Sequence, residues 1–254
     1  MNNSILIAIC FFLLGYVVNM FYISVLYHRA LTHQSIVLGP KMMKWLGITG
    51  GWMTGLDPKI WACMHRLHHQ HSDTKLDPHS PTHLGIMGVW VGQYKAYLNI
   101  QQALLNHDEK ISAIVSDIPF DIGFVNRKNL TWLPYLLHGT LAVLFGLGFH
   151  SYWVGAGYFL GIMGHPIQGW MVNALAHRYG GRNFSTPDDS RNNHLVALFV
   201  FGEGFQNNHH HYPKRAKFSV KWYEFDPGYL LCQIAQLAGI LKIKSATTSE
   251  SYTQ

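Results

Sequence analysis

MNNSILIAICFFLLGYVVNMFYISVLY, residues 1–27, contains no Asp, Glu, Lys or Arg, and it runs straight into His28-Arg-Ala-Leu-Thr-His33. A transmembrane helix needs about 20 consecutive apolar residues, and this stretch supplies them. A second uncharged stretch, residues 129–177, has room for two such helices joined by a tight turn near Phe149–Tyr152. All the charge lies in two blocks, residues 28–128 and 178–254. Surface helices of soluble proteins carry a charged face, and these runs have none. A cleaved signal peptide would open with basic residues. Met1-Asn2-Asn3-Ser4 has none, so the first stretch reads as an anchor that is retained.

The remaining composition agrees. Of 254 residues, 48% are hydrophobic and 13% charged, against roughly 25% charged in an ordinary soluble domain. An aromatic content of 14% excludes disorder and fibrous repeats. Because every Lys and Arg falls in the two charged blocks, both are expected on the cytoplasmic face. The prediction is an all-α integral membrane protein of one domain, residues 1–254. It has three transmembrane helices at 4–27, 130–149 and 152–174, interfacial helices, and a cytoplasmic histidine-rich helical cap. Leu38–Leu56 reads as an interfacial or re-entrant segment and Leu84–Leu105 as an aromatic-bearing surface helix. Leu230, Leu231, Ile234, Leu237, Ala238 and Leu241 share one helical stripe, suited to a membrane surface or to packing on the cap. The polar tail from Ser245 is expected to fray. Cys10, Cys63 and Cys232 form no paired motif and read as packing residues.

Histidine is the anomaly, with 17 against 13 acidic residues. Four groups stand out: His28 with His33, His65 with His68 and His69, Asn173 with His177, and Gln206 with His209 and His210. Residues at i, i+3 and i+4 share a helix face, so His-x-x-His-His aims three imidazoles into one volume. His28 and His33, at i and i+5, do not share a face on a regular α-helix. That pair is expected at a helix end, at a local bulge, or on two different metals. Imidazole suits zinc, copper, iron and nickel, and eight histidines exceed the needs of one ion, so two metals are expected. With no cysteine among them, an iron–sulfur cluster is disfavoured.

Metal-bound imidazoles usually donate their second N–H to a carboxylate or carbonyl, and Asp73, Asp77 and Glu203 lie near the groups. His71, His79, His83 and His211 read as flanking residues, and His107, His138, His150, His165 and His194 as satisfied polar ones. Trp45, Trp52, Trp61, Trp90 and Trp170 are candidates to line a substrate slot. A basic run, Lys214, Arg215, Lys217 and Lys221, suits lipid headgroups, an anionic substrate head or an acidic electron donor. No nucleic-acid partner is indicated. A metal transporter or metal-binding membrane protein is the rival class, but transporters place ligands near the bilayer midplane, whereas these groups sit at span ends. A membrane haem protein would need His138 and His165 as its pair.

The sequences His28-Arg-Ala-Leu-Thr-His33, His65-Arg-Leu-His-His69, Asn173-Ala-Leu-Ala-His177 and Gly202-Glu-Gly-Phe-Gln-Asn-Asn-His-His210 resemble the histidine boxes of the membrane fatty acid desaturases, in particular the acyl-CoA delta-9-like branch. The resemblance spans residues 20–240. It implies two iron ions with oxygen as co-substrate, and insertion of a cis double bond into a fatty acyl chain carried as a CoA thioester or a lipid ester. By box matching, the iron ligands are His28, His33, His65, His68, His69, His177, His209 and His210. Asn173 matches a position that reaches iron through water. Gln206 stands where the acyl-CoA branch usually has a histidine. Trp61-Ala-Cys-Met64 stands where that branch often has an Arg-Asp pair for CoA. No Gly-x-Gly-x-x-Gly fingerprint or fused haem domain is visible, so electrons are expected from a ferredoxin or a small cytochrome with its reductase. A hydroxylase of a lipid or alkyl chain would share the same site. The expected location is a bacterial inner membrane, with the site on the cytoplasmic side.

Overall fold

The structure, a computed structural model, describes residues 3–245; the expected fraying beyond Ser245 lies outside them. Helix α1 (Asn3–Met20) continues without a break into a π-helix, Phe21–Thr32. Together they make 30 residues with an 18-residue window of mean hydropathy 2.3, roughly 45 Å if α-helical throughout, against a hydrocarbon core of about 30 Å. A bilayer would therefore be crossed before the chain reaches His28. Among the described residues this is the one helix long and apolar enough to cross alone.

The second uncharged stretch does form two helices, but not two full-length straight ones. Helix α7 (Leu133–Gly148) has 16 residues, and α8 (Tyr152–Ile162) has 11. Met163 and Gly164 then interrupt the axis before α9 (His165–Trp170) and a second π-helix, Met171–Leu175. Small residues set the packing of α1 on α8. A Cβ at Gly157 would meet the Ala8 carbonyl, and one at Gly161 the Phe12 carbonyl. Small residues four apart let two backbones approach where the surroundings are apolar. Ile5, Leu6, Ile9, Leu13 and Leu14 of α1, with Val143, Leu144 and Leu147 of α7, point outward. So many exposed apolar side chains are unusual on a soluble monomer.

The remaining elements build the cap. Helix α2 (Pro40–Thr54) ends at Gly55, whose φ of 76° is left-handed. Helix α3 (Pro58–His71) starts at Asp57, whose carboxylate accepts the Lys59 and Ile60 N–H groups. Helix α4 (Pro81–Leu105) is kinked at Gly85, buries Val89, Tyr97, Ile100 and Leu104, and turns Met87, Val91 and Tyr94 outward. A helix thus forms where the sequence placed an aromatic-bearing one, and its Val91 and Tyr94 also line a cavity. Short helices α5 (Glu109–Ile114), α6 (Phe124–Arg127), α10 (His194–Phe199) and α11 (Gln206–His211) follow the loops. Helix α12 (Pro227–Leu237) buries Gly228, Cys232 and Ala235 and exposes Leu230, Ile234 and Leu237. Of the apolar stripe read from sequence, Leu230, Ile234, Leu237 and Ala238 face out, Leu231 packs against the core and Leu241 turns inward.

One feature departs from an all-α reading. Strand β1 (Ile36–Leu38) pairs antiparallel with β2 (Leu241–Ile243), with Val37 opposite Lys242. The ribbon fastens the end of the described chain to the segment just after His33. Three-residue strands leave too little alternation to be read from a sequence.

Candidate metal centre

The π-helix explains the first histidine pair. Its backbone bonds run i to i+5, which returns His28 and His33 to one side. The His33 N–H donates to the His28 carbonyl at 3.1 Å, and the ring centres are 4.9 Å apart. Helix α3 contributes His65, His68 and His69. Helix α11, six residues long, is too short to stand alone and is pinned through its two asparagines. Asn207 Oδ1 accepts the Asn183 and Phe184 N–H groups, each at 2.8 Å. Asn208 Nδ2 donates to Phe218 O at 3.0 Å and Glu224 Oε2 at 2.8 Å.

These elements gather the eight box histidines into two adjoining groups. In the first, one ring nitrogen from each of His28, His33, His65, His69 and His209 lies within 4.8 Å of every other. The Nε2 atoms of His28 and His209 are 3.0 Å apart, those of His69 and His65 3.1 Å, and those of His69 and His209 3.0 Å. At that spacing two imidazole nitrogens must share a proton or face a common cation. Burial, reinforced by the neighbouring rings, pushes His33, His65, His69 and His209 well below the ordinary histidine range. Protons are therefore expelled and lone pairs converge, which fits a metal.

The second group, His68, His177 and His210, has ring centres 5.0–5.2 Å apart. Each Nε2 is buried without a partner, and each Nδ1 is held by a carboxylate. Asp77 accepts from His68 at 2.9 Å, Asp73 from His177 at 2.9 Å, and Asp188 from His210 at 2.7 Å. A carboxylate on Nδ1 fixes the tautomer and leaves Nε2 as an inward lone pair. Burial opposes the charge on Asp73, but the hydrogen bond from His177 prevails and holds it at about 2. Asp77 and Asp188 are lowered in the same way by His68 and His210. The centres of the His69 and His210 rings, one from each group, are 4.5 Å apart.

All three acidic residues singled out from sequence lie beside the groups. Glu203 accepts from His28 Nδ1 at 2.5 Å and from Arg29 at 2.8 Å. Arg29 is fully buried and also meets Asp226 at 3.0 Å. Asn173 sits one turn before His177, its Nδ2 donating to Gln93 Oε1 at 3.3 Å. Gln206 is buried one turn before His210, its Nε2 donating to the Glu203 carbonyl at 2.8 Å.

Sequence reasoning missed Asp188, 22 residues from His210 with no shared periodicity, and it read His79 as a flank. His79 is 1% exposed, stacks on His68 with ring centres 4.5 Å apart, and has both nitrogens buried without partners. The hint in the sequence was its place two residues after Asp77, whose carboxylate accepts the His79 N–H. His138 cannot serve a haem: Tyr158 and the Trp52 carbonyl engage its two nitrogens at 2.7 and 3.0 Å.

A cavity of roughly 570 Å³ adjoins the imidazoles, and His28, His65, Trp132 and Tyr135 are among the residues that line it. Its volume is ordinary for a small-molecule site. Of the five tryptophans proposed to line a slot, Trp61 and Trp90 do so. Trp61 stacks on His65, 5.1 Å between centres.

Two adjoining groups of buried imidazoles beside a largely apolar cavity, on a helical scaffold with one helix of membrane-spanning length, fit a metal-binding helical protein. The chain belongs to the fatty acid desaturase family, whose model, "Fatty acid desaturase", matches residues 3–231. It is 32% identical to an icosanoyl-CoA 5-desaturase of Limnanthes douglasii, over 91% of this chain and 63% of that protein. A Delta-9 desaturase-like 5 protein of Arabidopsis thaliana is 30% identical, with 84% and 69% covered. A hex-5-enoyl-[acyl-carrier protein] acetylenase of Moorena producens (strain JHB) is 32% identical, with 82% and 67% covered. The chain thus spans about two thirds of the length of these relatives.

Proposed function

We propose that the chain is an integral membrane desaturase that removes two hydrogens from a fatty acyl chain at a histidine-held pair of iron ions. The convergence of eight imidazoles in two groups over an apolar cavity carries this reading. His28, His33, His65, His69 and His209 would hold one iron. His68, His177 and His210 would hold the other, with Asn173 acting through water and Gln206 as a further donor. Bound iron supplies the power to oxidise an unactivated methylene pair with oxygen. The balance is one acyl –CH2–CH2–, one O2, two electrons and two protons, giving one –CH=CH– and two waters.

The protein's own groups do the rest. Asp77, Asp73, Asp188 and Glu203 hold the Nδ1 protons of His68, His177, His210 and His28, so each ring keeps its orientation. Trp61, Leu56, Ile23 and Val172 line the cavity and exclude water from the methylenes. Lys214, Arg215, Lys217 and Lys221 offer an acidic ferredoxin or small cytochrome a basic surface. The names of the relatives include CoA-linked and carrier-protein-linked substrates. Trp61-Ala-Cys-Met64 lacks the Arg-Asp pair, which favours a lipid ester or carrier-protein thioester over free acyl-CoA. The exposed apolar faces of α1, α7, α4 and α12 support a membrane location, and the confinement of every Lys and Arg to residues 28–128 and 178–254 favours a cytoplasmic site; a bacterial inner membrane is the proposed setting.

The test is the fatty acid profile of a host lacking its own desaturase, with and without this chain. New acids lighter by two hydrogens are expected, and His68→Ala should abolish them. Products heavier by one oxygen would favour the hydroxylase. Zinc uptake with an unchanged profile would favour a transporter.

A further inference from the structure

The cavity wall is not apolar throughout. His165 and Gln168, one turn apart on α9, line it together with Gln93 and Tyr135. Gln168 is 5% exposed, and neither amide atom makes a well-formed hydrogen bond, its one polar neighbour being the Tyr16 hydroxyl, a weak partner that is itself bonded to the Phe199 carbonyl. His165 is 7% exposed, and its Nδ1 lacks a hydrogen-bond partner. Its Nε2 lies 3.4 Å from the Tyr135 hydroxyl, a stretched contact. Leaving a buried polar group without a good partner is costly, and three such atoms belong to residues that line this part of the cavity. Polar side chains on helices in apolar surroundings are kept where function uses them. A plain alkyl chain lying here would leave all three without a good partner, whereas an oxygen on the substrate would pair them.

The chemistry of that oxygen is constrained. Among the described residues, none of those lining the cavity is Lys or Arg, and the one acid, Glu203, is engaged by His28 and Arg29. A carboxylate or phosphate would lie here without a counter-charge. A primary amide, by contrast, both donates and accepts, and suits a hydroxyl or a carbonyl. Gln168 also stands nine residues before His177 on a nearly continuous helical path, a rise of roughly 13 Å.

The geometry points to a measuring contact: Gln168, with His165, holds an uncharged oxygen group of the acyl substrate and thereby sets which methylenes reach the histidine groups. That oxygen is the carbonyl of the ester or thioester linkage, or a hydroxyl or oxo group on the chain. The assignment rests on the desaturase reading and adds its substrate register.

The iron-loaded full chain, with a chemical reductant, tests it on two matched pairs. One pair compares an acyl ester with the alkyl ether of equal length, which lacks the carbonyl. The other compares acyl esters with and without a single mid-chain hydroxyl. The wild type should favour the oxygen-bearing member of one pair by roughly tenfold in kcat/KM, and which pair responds identifies the source. Gln168→Leu should erase that ratio and scatter the double-bond position. His165→Phe is the second variant, and the wild-type ratios decide the matter if either fails to fold. Equal turnover within both pairs would overturn the proposal. So would a Gln168→Leu protein that slows both members alike with the double bond unmoved, the mark of an amide that merely packs helices. No product from any acyl chain would sink the desaturase reading itself, and this contact with it.

Discussion

The two imidazole groups are built on opposite plans. The first has five rings and one outer carboxylate, Glu203 on His28. The second has three rings, and every one is backed by a carboxylate: Asp77, Asp73 and Asp188. A metal in the first would be nearly saturated with protein ligands. A metal in the second would keep positions for water and substrate, as open catalytic sites do, and the carboxylates would raise the basicity of its imidazole ligands. The difference is expected to make the two metals unequal in affinity, pH response and role.

The largest expected effect comes from removing one ring on each side. His210→Ala leaves the second group two imidazoles. Iron per chain should fall from two to one, with activity down by more than about a hundredfold, since even outer partners are worth ten- to a hundredfold. His33→Ala leaves four rings in the first group and should retain more of its iron. Equal iron loss in the two variants would erase the distinction.

Acidity separates the groups next. His33, His65, His69 and His209 are driven well below the ordinary range by burial and by one another, so protons do not compete there near neutrality. In the second group burial lowers His210 to about 4 as well, but His177 behaves oppositely. Burial lowers its pKa, but Asp73 more than compensates and the net shift is upward. A metal entering the second group must displace that proton, so its affinity falls as pH drops through the raised value. Iron release followed across a falling pH series should come first from the second group, and simultaneous release would contradict this.

The carboxylates sharpen the contrast in stability. Glu203→Gln removes a partner from Arg29, which is fully buried and left with Asp226. Breaking a buried pair leaves an uncompensated charge, and a loss of about 3 kcal/mol is expected in the metal-free protein. Asp188→Asn touches no buried cation. It should weaken iron binding by about ten- to a hundredfold and leave the metal-free melting transition nearly in place. Matching shifts in both melts would mean Glu203 is no keystone.

How far these plans could be read from sequence differs by residue. The uncharged run into His28 gave the long helix, and the i, i+3, i+4 spacing of His65, His68 and His69 gave a shared face, because both are local periodicities. The i, i+5 pair pointed to a helix end or bulge, but not to a twelve-residue π-helix, since no residue preference marks one. The partnership of Arg29 with Glu203 and Asp226 crosses 174 and 197 residues. The carboxylate of Asp188 reaches His210 from a loop. Such contacts are products of tertiary folding, and nothing in local spacing announces them. His79 was discounted for a related reason: its burial depends on the loop after α3 folding back over His68.

Gln206 offers the gentlest way to bring the two groups together. It lies one turn before His210, where the resemblance had led one to expect a fourth imidazole, and its amide N–H is already tied to the Glu203 carbonyl. An amide oxygen is a harder, weaker donor to iron than imidazole. Gln206→His should therefore tighten the second site by about tenfold, in line with one improved ligand interaction near 1.4 kcal/mol. Competition with a chelator would show it: the wild type should release its iron in two stages, and the variant should narrow the gap between them. The same exchange must cost something, because the Glu203 carbonyl loses its donor at a buried position, and a small drop in metal-free stability should accompany the gain. A variant that binds iron no better would place Gln206 outside the coordination of the second metal. The three-ring site would then be completed by Asn173 and water, with the inequality of the two groups larger still.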